Sequence, residues 1–139
     1  MRTVRDGDGN RYFLLKESSD ASLVQDPETG ERTHVPTDDL TAVDESPLQL
    51  SARAVPDDVR TVLTAVPDER ALGLLVELDA RGPLGVRALL DSYDLCESDL
   101  HGLLAEFRAA GLVDECTVAG ERGYEITETA SEALRHLTD

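Results

Sequence analysis

Short β-prone runs separated by turn residues occupy the first 43 positions, and beyond them apolar residues recur at the three- and four-residue spacing of helices. The runs are Arg2–Arg5, Arg11–Lys16, Ser22–Gln25 and Glu31–Val35. Between them lie Asp6-Gly-Asp-Gly-Asn10, Glu17-Ser-Ser-Asp20 and Asp26-Pro-Glu-Thr-Gly30. In the last of these, proline presets φ and glycine accepts a positive φ, so two tandem hairpins and a three- or four-stranded antiparallel sheet are expected. Large apolar residues are few there (Tyr12, Phe13, Leu14, Leu15, Leu23, Val24, Val35, Leu40), so the sheet is expected to lean on another surface.

Thr41–Ala54 changes character. Asp44-Glu-Ser-Pro47 breaks structure, and Leu48-Gln-Leu50 is too short for an element of its own, so a connector is expected. Pro56 and two acids then open a helix through Val66, with Val55, Val59, Val62, Leu63 and Val66 on one side. Asp68 is placed to cap a second helix, Glu69–Ala80, whose Leu72, Leu74, Leu75, Val76 and Leu78 predict burial on nearly all sides. A helix over Leu84–Tyr93 follows, then a turn at Asp94-Leu95. The next helix, Glu97–Ala110, spaces Leu100, Leu103, Leu104 and Phe107 by three and four, with Gly111 ending it. Leu112–Val118 and Gly123–Thr127 read as strands joined by a turn at Ala119–Gly123. Thr129, with Glu132 three residues on, predicts a capping box for a last helix to Leu137.

Helix, turn, two helices, hairpin and helix is the winged-helix order. The segment Ser98-Asp-Leu-His-Gly-Leu-Leu-Ala-Glu-Phe-Arg-Ala-Ala-Gly-Leu-Val113 is similar to the recognition helix and first wing strand of MarR- and ArsR-like regulators. Tyr124-Glu-Ile-Thr-Glu-Thr-Ala-Ser-Glu-Ala-Leu134 resembles their second wing strand and following helix. The resemblance covers about Glu69–Leu137 and, with the acidic composition below, extends to haloarchaeal winged helix-turn-helix transcriptional regulators. Together with the strand and helix patterns it gives an α+β chain in three parts: a small antiparallel β region over 1–45, a connector with an amphipathic helix over 46–67, and, as the resemblance implies, a winged helix-turn-helix domain over 68–139. It also implies a DNA-binding transcriptional regulator, with the third helix in the major groove and the wing on the backbone. On that reading Ser98, Asp99, His101, Gly102, Ala105 and Arg108 face the groove, Arg122 is the wing-tip contact, and Arg87 and Arg81 reach phosphates. A homodimer is expected, because one recognition helix reads too few base pairs. Its interface would be the Val55–Val66 stripe or Ala130, Ala133, Leu134 and Leu137; the N-terminal region is an alternative site for a protein partner.

Charge alters that picture. There are 29 acidic against 13 basic residues, a net of −16, and Lys16 is the one lysine. Self-repulsion of this size opposes compaction at ordinary ionic strength, whereas molar salt screens it within about 3 Å. Acidity then reads as adaptation to a salt-accumulating cytoplasm. The expected recognition helix departs from the family, offering Glu97, Asp99, His101 and Gly102 where arginine, lysine, serine or glutamine is usual. A protein-interaction module on the same fold and an acidic DNA mimic therefore stand as alternatives.

Other chemistry is disfavoured. Asp6–Asn10 imitates a calcium loop with Glu17 at its twelfth place, but Arg11 stands where glycine is needed, so a hairpin turn is expected. His34, His101 and His136 share no metal-ligand spacing, and Cys96 and Cys116 form no CxxC pair and are expected to stay reduced. Ser98, Asp99 and His101 fall on one helix and cannot assemble a triad with its oxyanion site. No phosphate loop or dinucleotide fingerprint occurs. The expectation is a non-enzymatic protein without cofactor or metal. With no apolar run of about 18 residues and no apolar leader at Met1–Gly9, it is expected to remain in the cytoplasm, off the membrane.

Overall fold

The computed structural model describes residues 1–138 of the 139. The fold is α+β, and the chain divides into two compact units, Met1–Pro56 and Asp57–Asp139. No helix among the described residues is long and apolar enough to cross a membrane.

The first unit is an antiparallel sheet of β1 (Arg2–Arg5), β2 (Arg11–Lys16), β3 (Ala21–Gln25), β4 (Arg32–Pro36) and β5 (Thr41–Ala42), in the order β4-β3-β2-β1-β5. Four strands and both hairpins lie where the turn residues put them. At the first turn the Asp6 carboxylate accepts the Asp8 and Asn10 amides at 3.0 and 2.9 Å. Burial pushes the Asp6 carboxyl up, but bonds from Asn10, Asp8 and the Tyr12 hydroxyl outweigh it and hold the group below the usual carboxylate range. That network makes Asp6–Asn10 a hairpin turn. Val4, Leu14 and Val24 form the buried cluster, flanked by Tyr12, Val35 and Leu40.

Two elements in this unit correct the expected connector. β5 pairs Val4 with Ala42, a fifth strand whose hydrogen bonds run to a segment almost forty residues away. Helix α1 (Pro47–Ser51) exists because of its cap: Ser46 Oγ accepts the Leu48 amide at 3.1 Å, Gln49 Oε1 accepts the Ser46 amide at 3.1 Å, and Pro47 occupies the first turn. It packs on β1 and β2 and buries Leu50 completely. Glu45 gathers Arg11 and Arg53 just ahead of it.

The second unit contains α2 (Asp57–Ala65), α3 (Glu69–Arg81), β6 (Leu84–Gly85), α4 (Val86–Ser92), α5 (Glu97–Ala109), β7 (Val113–Val118), β8 (Glu121–Ile126) and α6 (Glu128–Thr138). Helix α2 packs against α6, burying Val59 and Val62, so the division falls between Pro56 and Asp57 instead of at 45/46 and 67/68. Leu63 departs from the expected apolar stripe: it is 57% exposed. Asp68 caps α3 through the Ala71 amide at 2.9 Å. Ala71, Leu74, Leu75 and Leu78 are buried, whereas Leu72 and Val76 are 37% and 41% exposed, so α3 is amphipathic and not buried all round.

The residues expected to start the next helix instead form β6, antiparallel to β8, with Gly85 opposite Gly123. A Cβ on Gly123 would stand 2.8 Å from the Leu84 carbonyl oxygen and 2.6 Å from Val118 Cγ2, so the close approach of the strands requires glycine there. Gly111, at φ +78°, ends α5 in a Schellman motif: its amide bonds the Arg108 carbonyl at 3.1 Å, and the Leu112 amide bonds the Phe107 carbonyl at 2.8 Å. Strands β7 and β8 close through a two-residue turn with φ of +50° at Ala119 and +80° at Gly120. Positive φ at both central residues favours Asn-Gly and penalises alanine. Ala119→Asn is therefore expected to stabilise the chain by about 1 kcal/mol, read as a raised urea midpoint with unchanged slope. The last helix starts two residues earlier than expected, with Thr127 as its cap: Thr127 Oγ1 accepts the Ala130 amide at 3.3 Å and donates to the Gly111 carbonyl at 2.7 Å. Thr129 lies inside the helix.

Candidate nucleic-acid interface

Helices α4 and α5 are separated by a four-residue turn and followed by the β7–β8 hairpin. Leu100, Leu104 and Phe107 are buried and fix which side of α5 turns outward. At 3.6 residues per turn the line opposite them carries Ser98, Gly102, Ala105 and Ala109, all exposed and all small. Asp99 and Glu106 flank it on one side, where they line a groove with Asp68 and Arg70 of the α3 start. His101 and Arg108 flank it on the other. The α5 backbone is thus open to close approach, with few long side chains to reach ahead of it.

Several of the expected contact residues are already engaged. His101 Nε2 lies 3.7 Å from Glu97 Oε1. Arg108 Nη1 is 2.9 Å from Glu115 Oε1 on β7. Arg87 is highly exposed at the start of α4; its main-chain amide donates to Glu121 Oε1 at 3.3 Å, and its Nε lies 3.9 Å from Glu121 Oε2. Gly85 makes this possible, since a Cβ there would collide with the Glu121 carboxylate. Arg122 is exposed on β8 opposite Thr117, with no ion-pair partner among the described residues; it is a strand residue, and the hairpin tip is Ala119-Gly120. Arg81 is turned to the Tyr93 hydroxyl at 2.6 Å, away from the expected phosphate role.

Asp57–Asp139 carries 18 acidic side chains against seven arginines. Glu115 and Glu121 went unnoticed in the sequence because their significance lies in partners seven and 34 residues away. Cys96, the α5 cap residue, exposes its thiol and accepts the Asp99 amide at 3.4 Å. Cys116 is half-buried, and burial together with the Glu125 charge pushes its thiol up. Iodoacetamide is expected to modify Cys96 roughly tenfold faster than Cys116, which peptide mass mapping over time would show.

The model of a family of unknown function, DUF7346, matches residues 1–138. The chain belongs to DUF7346. No curated protein matches it. Part of this DUF7346 chain is similar to two crystal structures. One, an ArsR family transcriptional regulator, is 18% identical and superposes with a TM-score of 0.45 over 59% of this chain and 84% of its own. The other, the transcriptional regulator HlyU from Vibrio vulnificus CMCP6, is 30% identical, with a TM-score of 0.49 over 66% of this chain and 94% of its own.

Proposed function

We propose that this DUF7346 chain is a non-enzymatic, cytoplasmic winged-helix regulator that binds double-stranded DNA, with α5 in the major groove and the β7–β8 hairpin against the backbone. The observation that carries this reading is the presentation of α5: its outermost line is small and exposed from Ser98 to Ala109, with Arg108 flanking it and Arg122 exposed on the hairpin that follows. Such a helix enters a groove about 12 Å wide without obstruction. Ser98, Asp99 and His101 are then assigned to base edges, and Arg87, Arg108 and Arg122 to phosphates. Working at high salt suits the net charge of −16. Two copies are required for useful specificity, and we assign their contact to α2 and α6, where Leu63 and Leu137 are 57% and 45% exposed.

Fluorescence anisotropy on random and genomic duplexes, from low to multimolar KCl, tests the reading. Saturable binding that weakens by about tenfold or more in an Arg108→Ala, Arg122→Ala variant is expected, together with a smaller salt slope. A folded protein that binds no duplex at any salt would sink it. A second reading, a protein-interaction module, is favoured by one observation: Arg87 and Arg108 are both held by hairpin carboxylates.

A further inference from the structure

The Arg108–Glu115 pair lies inside the face just assigned to the DNA backbone. Arg108 is the one cation on α5. Its partner Glu115 shares a face of the hairpin with Thr117, Arg122 and Tyr124, because side chains two apart on a strand, and those directly opposite across an antiparallel pair, project to the same side. On that face Tyr124 and Val113 are buried, and the Glu115 contact with Arg108 ties the face to α5, with Thr117 and Arg122 exposed further along it. Arg108, Thr117 and Arg122 would therefore all address one stretch of backbone. In the middle stands a carboxylate, making with Arg108 the 2.9 Å charge-assisted contact that a phosphate oxygen would make.

The geometry points to Glu115 as a displaceable phosphate surrogate, an intramolecular counter-charge that duplex DNA must exchange for its own phosphate before Arg108 contributes. This rests on the DNA-binding reading above. The consequence is specific. Arg108 and Glu115 together carry no net charge, so when Arg108 moves to a phosphate the freed carboxylate holds a cation close to the backbone in place of the one the phosphate gives up, and the exchange adds little to the salt dependence of binding. The displaced carboxylate also stays near the backbone and repels it. Glu115 thus holds affinity down and flattens its response to salt, a property useful to a regulator whose operator must be released in a saline interior.

The test uses the full chain and the same duplexes, comparing wild type with Glu115→Gln, Asp114→Asn, Arg108→Ala and the Glu115→Gln, Arg108→Ala double variant. Asp114→Asn removes the same charge from the other face of β7 and so reports the general effect of acidity. Glu115→Gln is expected to bind about fivefold tighter with a salt slope steeper by about one, against a gain under about twofold for Asp114→Asn. In the Arg108→Ala background the Glu115→Gln gain should fall to that of Asp114→Asn. Equal gains from both single substitutions, or a Glu115→Gln gain that survives loss of Arg108, would overturn the proposal while leaving DNA binding standing. Binding by Glu115→Gln alone would support it in its strongest form. No binding by any form, each shown folded by circular dichroism, would remove the DNA-binding reading and this proposal together.

Discussion

Phe107→Ala is expected to cost about 3–5 kcal/mol, the largest loss from a single substitution in the second unit. Phe107 is the largest side chain in the chain that is fully buried, and its carbonyl accepts the Leu112 amide that closes α5. Truncation therefore opens a cavity beneath α5 at the point where the chain turns into β7. Partial collapse around the gap would tilt the helix whose outward line we assign to the groove. For a unit of this size each kcal/mol corresponds to about 4–8 °C in melting temperature, so a fall of at least about 12 °C is expected by circular dichroism. A loss of less than about 1 kcal/mol in urea titration would mean that the packing of α5 is not what holds the unit together. Duplex binding should fall with it even below the new midpoint, because the small residues from Ser98 to Ala109 present a usable line only while the opposite side is docked.

Gly123→Val tests how the hairpin is joined to the helices. The Cβ alone would lie 2.8 Å from the Leu84 carbonyl oxygen and 3.3 Å from Gly85 Cα, both main-chain atoms that no rotamer change can move aside. Strand β8 must then separate from β6, losing the Gly85–Gly123 pairing and the position of Glu121 over the start of α4. Overpacking of this kind costs about 3 kcal/mol. The pattern of loss distinguishes it from Phe107→Ala: amide exchange should accelerate first in Leu84, Gly85 and β8, with α3 and α6 protected longer. DNA affinity is expected to drop in step, since Arg122 loses its placement relative to Arg108. A variant of wild-type stability would show that β6 is dispensable.

These two residues also mark where sequence reasoning reached and where it stopped. Phe107 was legible: its spacing from Leu100, Leu103 and Leu104 predicts an inward residue, and Gly111 predicts the end of α5. The sequence marks Gly123 as the junction of a turn and a strand but gives no reason for glycine there, because its role depends on a strand 38 residues earlier in the chain. The same reason explains β5, paired to β1 across a similar gap, and the fate of Leu84-Gly85, which local propensity alone assigns to a helix. Helix α1 is a different case. Ser46, Pro47 and Gln49 spell a capping box, a local signal that was present and outweighed by the shortness of Leu48–Leu50.

The candidate contact residues divide in the same way. Helical periodicity placed Ser98, Gly102 and Arg108 on the outward side of α5, and the structure puts them there. It gave no hint that Arg108 and Arg87 would meet carboxylates, or that Arg81 would turn to Tyr93. Strand runs, helix spacing, caps and turn glycines are encoded by neighbours within about four residues, so the sequence by itself determined four of the five strands in the first sheet, the existence and order of α2 to α6 with the β7–β8 hairpin before the last of them, and the buried side of α5. Strand pairing at a distance, the exposure of Leu63, Leu72 and Val76, the union of α2 with α6 and the pairing of each arginine were decided only in the tertiary structure. These depend on which surfaces meet, and burial and ion pairing are properties of two surfaces and not of one segment.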